Sequence, residues 1–295
     1  MKIVRTKTDL RAALAVARHE GRSIGLVPTM GCLHEGHLSL VRAARERCEV
    51  VVVSLFVNPA QFGAGEDLTA YPSDEARDAR LLEAEGVDLL YAPPVEEVYP
   101  DGFATAVEVG GLTEVLCGDP AHRGAEHFRG VTTVVAKLFN AVMPEVSFFG
   151  QKDAQQAVVV ERMARDLDFP VEIAVLPTVR EPDGLAMSSR NVYLSPDDRR
   201  RAAVLRRALE AAERAEATSG APVAAALDAA RVVLARAGIE PEYLEARDAE
   251  SLGEVETFNG RPVLVALAAR VGRARLIDNT TIEPVAVSAA GRKGK

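Results

Sequence analysis

The chain has 295 residues and a formal net charge of −8, with 48% hydrophobic and 26% charged residues. These values are ordinary for a globular protein and provide enough chain for one or two domains. The acidic balance argues against a protein that coats nucleic acid, and no stretch approaches the roughly 20 apolar residues that span a bilayer.

The N-terminal segment and the cysteines bear on the compartment. The segment MKIVRTKTDLRAALAVARHEG is charged throughout, so it lacks the apolar core of a signal peptide. Three cysteines are present, an odd number without CxxC spacing, which argues against a disulfide framework or a zinc ribbon. We therefore expect a soluble cytoplasmic protein.

Helices and strands alternate through the first part of the chain. Helices are predicted over residues 9–20, 37–48, 74–85, 130–142 and 153–167, with Thr8 and Ser73 as N-caps of the first and third. Strands are predicted over residues 23–29, 49–57, 87–93, 145–150 and 171–177. The second strand is apolar and β-branched without alternation, which is typical of a strand buried on both faces of a sheet. The pattern predicts an α/β fold with a parallel, doubly wound sheet.

The pattern changes near residue 184. A helix begins after Ser195, an N-cap followed by Pro196 and two aspartates, and is predicted to continue to residue 215. The other predicted elements are a helix over 223–238 and strands over 239–248 and 261–282. We therefore predict two domains, residues 1–184 and a smaller α+β domain of residues 185–295.

The segment VPTMGCLHEGHLSL, residues 27–40, joins a predicted strand to a helix N-terminus. Ligands of an open α/β sheet usually bind at such strand ends, and the unpaired N–H groups of a helix N-terminus attract phosphate. Gly36 allows close backbone approach to a ligand, and His34 and His37 can donate hydrogen bonds to phosphoryl oxygens. Two cap histidines without chemistry and a zinc site are the alternatives, although no other Cys or His cluster supplies a third zinc ligand.

Two further segments place polar side chains at strand ends. In FVNPAQF, Asn58 and Gln61 offer uncharged amides that suit an alcohol or a carboxylate, although Asn-Pro alone is a turn signal. In FFGQKDAQQ, Lys152 lies beside a helix N-terminus opened by Asp153, and Gln156 follows one turn later. A solvated loop lysine is the alternative for Lys152.

The loop REPDGLAMSSRN, residues 180–191, closes the larger predicted domain. Ser188, Ser189 and Arg190 supply two hydroxyls and a fork-shaped cation, a set that suits a triphosphate. An interdomain linker is the alternative. The chain contains neither GxxxxGK[ST] nor GxGxxG, which removes the main support for a P-loop or a dinucleotide-binding motif.

Taken together, HEGH and MSSRN resemble the HIGH and KMSKS signatures of the class I aminoacyl-tRNA synthetase and nucleotidylyltransferase superfamily. Five ordered segments resemble, along nearly the whole chain, the pantoate–β-alanine ligase (pantothenate synthetase) family: PTMGCLHEGHLSL, FVNPAQF, HFRGVTTVVAKLFN, FFGQKDAQQ and SSRNVYLS. The resemblance implies a Rossmann-like domain that binds ATP and pantoate, and a smaller C-terminal domain that closes over the active site.

The resemblance also implies an activity. It is the ATP-dependent condensation of (R)-pantoate with β-alanine to pantothenate, a coenzyme A precursor, through a pantoyl-adenylate intermediate, with release of AMP and pyrophosphate. ATP would act with Mg²⁺ and without a metal site in the protein. A homodimer with no nucleic-acid or membrane partner is implied as well.

The site residues implied by the resemblance fall into three groups. The catalytic group is His34, His37, Lys152 and Arg190. The ATP-binding group is Met30, His34, Gly36, His37, Gly150, Lys152, Asp153, Met187, Ser188, Ser189 and Arg190. The pantoate-binding group is Gln61, Gln156, Asn58 and His127.

Two departures from the family pattern and two rival functions complete the interpretation. Cys32 stands where the family commonly has alanine. The spacing from Arg123 to His127 is one residue longer than in the family pattern, so no ligand role is assigned to Arg123.

Another HIGH-type nucleotidylyltransferase would need basic residues for a phosphorylated substrate where this chain has Gln61 and Gln156. An RNA-interacting protein with the same fold is disfavoured by the acidic balance.

Overall fold

The computed structural model describes residues 1–63, 68, 71–215 and 221–283. Two compact units divide these residues. The first contains Met1–Val179 and Met187–Ser189, and the second contains Arg180–Ala186 and the described residues from Arg190 onward. The functional division that the sequence analysis assigned to residues 1–184 and 185–295 stays a prediction.

A six-stranded parallel sheet forms the centre of the first unit. Its strands are β1 (Lys2–Val4), β2 (Ile24–Thr29), β3 (Val50–Leu55), β4 (Leu89–Tyr91), β5 (Val146–Gly150) and β6 (Glu172–Leu176). Its helices are α1 (Lys7–His19), α2 (Glu35–Arg47), α3 (Glu75–Ala84), α4 (Val95–Val98), α5 (Ala125–Val142) and α6 (Ala154–Asp166). The strand order is β1-β4-β3-β2-β5-β6, and every pairing is parallel. The predicted α/β fold with a parallel, doubly wound sheet is confirmed.

The strand order reverses between β2 and β5. From β2 the chain continues through β3 to β4 on one side, and β5 and β6 lie on the other side. Connections run in opposite directions from such a point, so a crevice opens there at the carboxyl ends of the strands. This crevice is the expected place for a ligand.

Burial of both faces of β3 explains its apolar pattern. On one face Val51 and Val53 pack with Val41 of α2 and Leu82 of α3, and on the other face Val52 is also completely buried. Each such side chain contributes about 1.5–3 kcal/mol when it leaves water. The strand therefore tolerates no polar alternation, as the sequence predicted.

The N-caps of α1 and α3 lie at positions other than the predicted ones. Thr6, and not Thr8, caps α1, because its hydroxyl accepts from the backbone N–H of Asp9 at 3.0 Å. Asp74, and not Ser73, caps α3, because its carboxylate accepts from the Arg77 N–H at 2.9 Å. Several polar residues precede each of these helices, and the one whose oxygen reaches the free N–H groups becomes the cap.

The second unit joins three helices to an antiparallel sheet. Its elements are α7 (Pro196–Ala202), α8 (Val204–Arg214), α9 (Val223–Arg236), β7 (Pro241–Asp248), β8 (Val263–Val271) and β9 (Ala274–Ile282). The strand order is β7-β8-β9, and both pairings are antiparallel. Leu205 and Leu209 of α8 are completely buried in one cluster with Leu234 of α9 and Leu267 of β8. The predicted smaller α+β domain is confirmed in its fold class.

Two predicted elements of this unit are divided. The helix capped by Ser195 ends at Ala202, and α8 begins after Ala203. The long strand predicted over 261–282 is a hairpin that turns at Gly272, whose φ of +57° is one that L side chains rarely adopt. Among the described residues, no helix combines the length and the apolar character needed to cross a bilayer.

Candidate active site

Three neighbouring strands bring the predicted motifs to one edge of the sheet. The segment with His34 follows β2, the segment with Gln61 follows β3, and Lys152 follows β5. Since β3, β2 and β5 are adjacent and parallel, these segments emerge side by side at the switch point. Residues that are more than one hundred positions apart in sequence therefore share one crevice.

His34 and His37 form a capping box at the N-terminus of α2. The His34 Nδ1 accepts from the Gly36 N–H at 3.1 Å, and the His37 Nδ1 accepts from the His34 N–H at 3.3 Å. The two rings lie 4.1 Å apart between centroids. A neutral imidazole that accepts through Nδ1 carries its proton on Nε2, so each ring keeps one N–H donor for another group.

Both histidines are held in the neutral form. Burial lowers the pKa of His34 from 6.5 to about 4, and the positive charge of Lys152 acts in the same direction. Burial also holds the pKa of His37 well below 6.5, with further contributions from His34 and Lys152. The pair therefore offers two neutral donors beside one cation, at a helix N-terminus that favours anions.

Gly36 leaves room for the ring of His34. A Cβ at residue 36 would lie 2.9 Å from the His34 Cε1 and 3.0 Å from its Nδ1. The sequence predicts that this glycine allows the backbone to come close to a ligand. The structure adds a second reason, because a side chain here would displace the capping imidazole.

Asp78 is a site residue that the sequence analysis missed. Its carboxylate is completely buried on α3 and accepts from the Cys32 N–H at 2.7 Å and the Leu33 N–H at 2.9 Å. It thereby anchors the turn between β2 and His34, where Gly31 and Cys32 both have positive φ. The available signal was an aspartate four residues before the buried Leu82, on the apolar face of a predicted helix.

A pocket in the first unit brings six predicted residues together. Its lining includes Gly36, Gly150, Lys152, Asp153, Gln156 and Met187. The Lys152 Nζ lies 3.5 Å from an Asp153 carboxylate oxygen, and the lysine side chain is 21% exposed. A Cβ at Gly150 would meet no atom within 4 Å, so the pocket is open at that position. The Met187 N–H donates to the Val179 carbonyl at 3.0 Å, which holds Met187 at the wall.

Gln61 lies on a short 3₁₀ turn, Pro59–Gln61, that follows β3. Its Nε2 is 3.2 Å from the Met30 sulfur, and its Oε1 accepts from the Asn58 Nδ2 at 3.1 Å. The turn thus places Gln61 against Met30, which follows β2. A thioether is a weak acceptor, so a ligand oxygen can replace it as the partner of Nε2.

Asn58 and His127, predicted to bind pantoate, both support the Gln61 turn. Asn58 is 1% exposed, and both of its amide atoms are engaged within the protein. The His127 Nε2 lies 3.2 Å from Arg123, which can only donate, so Nδ1 carries the proton and donates to the Gln61 carbonyl at 2.6 Å. These contacts favour a supporting role for both residues.

The SSRN segment contributes to both units. Ser189 belongs to the first unit, where its buried hydroxyl donates to the Cys32 carbonyl at 3.2 Å. Ser188 precedes it in the same unit, and Arg190 belongs to the second unit. The predicted contacts of Ser188, Ser189 and Arg190 with phosphate stay predictions.

The zinc alternative has no ligand set in the part of the chain that the structure describes. There, no group of three or more His, Cys, Asp and Glu side chains could hold a metal ion. Burial raises the pKa of the Cys32 thiol, so this residue remains a protonated thiol near neutral pH.

Comparisons with known sequences agree on one family. The family described as Pantoate-beta-alanine ligase matches residues 2–281. A pantothenate synthetase of Moorella thermoacetica is 53% identical over 286 residues, which cover 96% of this chain and 99% of the relative. A pantothenate synthetase of Novosphingobium aromaticivorans is 50% identical over 293 residues, with 96% and 100% covered.

Solved structures give the same result. The crystal structure of pantothenate synthetase from Thermus thermophilus is similar with a TM-score of 0.88 and 49% identity, and covers 96% of this chain and 100% of its own. That of a pantoate-beta-alanine ligase from Francisella tularensis, complexed with beta-gamma ATP and beta-alanine, has a TM-score of 0.76 and 30% identity. It covers 95% of this chain and 97% of its own.

Proposed function

Because the chain belongs to the pantoate–β-alanine ligase family, we propose that it condenses (R)-pantoate with β-alanine to pantothenate, with ATP as the driving substrate. The observation that carries this proposal is the neutral imidazole pair beside Lys152 at the switch point. Such a site binds phosphate through donors and one cation, without a protein nucleophile. The neighbouring Gln61 and Gln156 supply uncharged partners for an alcohol or a carboxylate.

In the first step a carboxylate oxygen of pantoate attacks the α-phosphorus of ATP. The bond to the bridging oxygen breaks, its electron pair leaves with pyrophosphate, and pantoyl adenylate forms. This step requires alignment and compensation of charge more than a general base. His34 and His37 donate from Nε2 to phosphate oxygens, and Lys152 compensates the charge that moves to pyrophosphate.

In the second step the amine of β-alanine attacks the acyl carbon of the adenylate. The bond from that carbon to the AMP oxygen breaks and its electron pair leaves with AMP, while the attacking nitrogen releases a proton to solvent and the amide forms. The incoming amine is itself the nucleophile, so no serine or cysteine is required. The described residues that carry the proposal are accordingly donors and amides.

The remaining predicted site residues belong to the same proposal. The nucleotide side consists of Met30, Gly36, Gly150, Asp153, Met187, Ser188, Ser189 and Arg190, and the acid side is Gln61 and Gln156 with Asn58 and His127 behind Gln61. The proposal also includes the prediction that residues 1–184 form the domain that binds ATP and pantoate. Mg²⁺ is proposed to enter with ATP, since this ion usually binds through substrate phosphates.

A cytoplasmic homodimer without a nucleic-acid or membrane partner is the proposed form of the protein. The cysteine pattern and the acidic balance support the compartment and the absence of a nucleic-acid partner. Family resemblance supports the dimer. Light scattering after size-exclusion chromatography measures the number of chains directly.

One assay tests the reaction. The protein is incubated with MgATP, pantoate and β-alanine, and AMP and pantothenate are expected in equal amounts. With β-alanine omitted, labelled pyrophosphate should still exchange into ATP, because the adenylate forms first. Exchange that strictly required β-alanine would contradict a separate adenylate intermediate. Nucleotide transfer to a phosphorylated acceptor, with no AMP release, would favour another nucleotidylyltransferase.

A further inference from the structure

The Gln61 side chain is oriented by a partly buried series of hydrogen bonds that passes through the buried Asn58. Gln61 Oε1 accepts from Asn58 Nδ2 at 3.1 Å, and Asn58 Oδ1 accepts from the Tyr99 hydroxyl at 2.7 Å. Tyr99 lies just after α4. The sequence alone suggests no role for this tyrosine, because it is distant from every motif along the chain.

Two backbone groups favour one orientation of the Asn58 amide, and the Tyr99 hydroxyl reinforces it. Its Nδ2 donates to the Gly130 carbonyl at 3.1 Å, and its Oδ1 accepts from the Ala60 N–H at 3.3 Å. A backbone carbonyl can only accept and a backbone N–H can only donate. The orientation of Asn58 therefore follows from chemistry, and its second Nδ2 hydrogen is directed to Gln61.

Tyr99 completes the hydrogen bonding of Asn58. Burial raises the pKa of Tyr99 to about 12, so the phenol keeps its proton and donates it. Its ring is held by edge contact with Phe103, at 5.2 Å between centroids, and lies 6.2 Å from the Phe56 ring. Contacts with neighbouring rings thus hold the Tyr99 ring in place independently of the hydrogen bond that its hydroxyl donates.

These hydrogen bonds determine which atom of the Gln61 amide faces Asn58 and which faces away. Because Oε1 is turned toward Asn58, the Nε2 group faces away, where Met30 is its weak partner. We propose that Tyr99 is a positioning residue that acts through Asn58 to hold the Gln61 amide with Nε2 toward the acid substrate. Gln61 then meets an acceptor oxygen of pantoate as a donor. This inference rests on the proposed function.

The backbone of Gln61 is held separately from its amide. The His127 Nδ1–H donates to the Gln61 carbonyl, and Gly130 packs directly under the turn. Loss of the Tyr99 hydroxyl should therefore leave the turn in place and leave Asn58 with its two backbone partners, while the Asn58 and Gln61 side chains are held less firmly. Tyr99→Phe, which removes only the hydroxyl oxygen, therefore tests the orientation of the Gln61 amide without disturbing its backbone.

The test is a double-mutant cycle on pantoate affinity, measured by calorimetry with Tyr99→Phe, Gln61→Ala and the double variant. Tyr99→Phe should weaken pantoate binding by about fivefold to tenfold, the effect of one hydrogen bond, and leave ATP affinity unchanged. In the Gln61→Ala background it should have no further effect, because the residue through which it acts is absent. Additive losses, or an unchanged affinity in Tyr99→Phe, would overturn the proposal.

A second variant keeps the test decisive if Tyr99→Phe does not fold. Asn58→Asp retains the oxygen that accepts from Tyr99 but replaces the group that donates to Gln61 and to the Gly130 carbonyl by an acceptor, so pantoate binding should weaken while ATP binding remains. Unchanged pantoate binding in a folded Asn58→Asp protein would also overturn it. Tyr91→Phe, in a buried tyrosine of β4 outside this series of hydrogen bonds, is the matched control. If the wild-type protein bound no pantoate, the proposed function would fail; if only the variants behaved as wild type, this inference alone would fail.

Discussion

At the scale of single residues, the positive charge of Lys152 helps to keep His34 and His37 neutral. The lysine charge lowers the pKa of both imidazoles, in addition to the larger effect of burial. Neutral rings can donate from Nε2 and still add no positive charge to the crevice. The arrangement therefore places a lysine charge beside two neutral donors, which suits a substrate whose negative charge shifts during reaction.

Replacing Lys152 by alanine should slow adenylation by on the order of 10²-fold or more. A charge-assisted contact contributes roughly 1.5–3 kcal/mol in binding, and more where charge develops in the transition state. Pyrophosphate exchange measures the step, and circular dichroism checks the fold. Lys2→Ala, in an exposed lysine of β1, is the control. Near-normal exchange in folded Lys152→Ala protein would refute the assignment.

The histidine pair predicts a loss of stability in acid. In the unfolded chain both histidines bind a proton near pH 6.5. In the folded protein the pKa of His34 is about 4, and that of His37 is also well below 6.5. Between these values the unfolded state holds more protons, so the free energy of unfolding falls as pH decreases from about 6.5 toward about 4. Above pH 6.5 the pair adds no pH dependence.

Urea denaturation at a series of pH values measures this effect. In His34→Ala the decrease between pH 6.5 and pH 5 should be smaller than in the wild type, because one suppressed protonation is removed. The range above pH 5 avoids most carboxylate titration. Equal slopes in the two proteins would show that His34 is not held neutral by the fold.

At the scale of elements, α5 and the Pro59–Gln61 turn approach so closely that only glycine fits between them. A Cβ at Gly130 would lie 2.2 Å from the Ala60 carbonyl oxygen and 2.6 Å from the Gln61 N. The helix thereby supports the turn directly through backbone contact. The same helix provides His127, whose ring reaches the Gln61 carbonyl.

Gly130→Ala sets two effects of opposite sign against each other. Helix propensity alone would favour alanine by about 1 kcal/mol. The steric overlap is with backbone, which cannot rotate away, and overpacking of this kind costs about 1–3 kcal/mol or more. We expect net destabilisation in denaturant titrations and weaker pantoate binding, because the Gln61 turn must move. Gly110→Ala, where a Cβ meets nothing within 4 Å, is the control; a more stable Gly130→Ala protein would disprove the argument.

At the scale of the whole molecule, the second unit contains its own buried ion pair. Asp278 of β9 is 2% exposed and accepts from two guanidinium nitrogens of Arg180, at 2.7 and 3.0 Å. Arg180 also donates to the Gly184 carbonyl at 3.1 Å. The pair thus joins the Arg180–Ala186 segment to strand β9 of the same unit.

Asp278→Ala should destabilise the protein by about 3–5 kcal/mol, because a partly buried guanidinium is left without its partner. Urea unfolding measures the loss, and hydrogen exchange should show faster exchange of β9 amides. Glu254→Ala removes the exposed member of an ion pair at 3.9 Å and should change stability by less than about 1 kcal/mol. Similar losses in both variants would contradict a special role for the buried pair.

Most of the order of elements and the chemistry of the strand ends could be predicted from the sequence, because both are local properties, but the short elements β1 and α4 were not predicted. The alternation of apolar strands with amphipathic helices predicted the parallel sheet, and Gly36, Lys152 and Gln156 line one pocket as the motifs suggested. Break points such as Ala203 were not predicted, since periodicity continues across them.

The sequence by itself determined the fold class, the family and the residue types available for phosphate and acid binding. Only the tertiary structure decided which of them line the pocket at the sheet edge and which support other side chains. Asn58 finds its partners 41 and 72 residues away, at Tyr99 and Gly130, and Asp78 finds its own 45 and 46 residues away. Burial requires every such polar group to be satisfied, and the partners that satisfy it come from other elements that only the folded chain brings into contact.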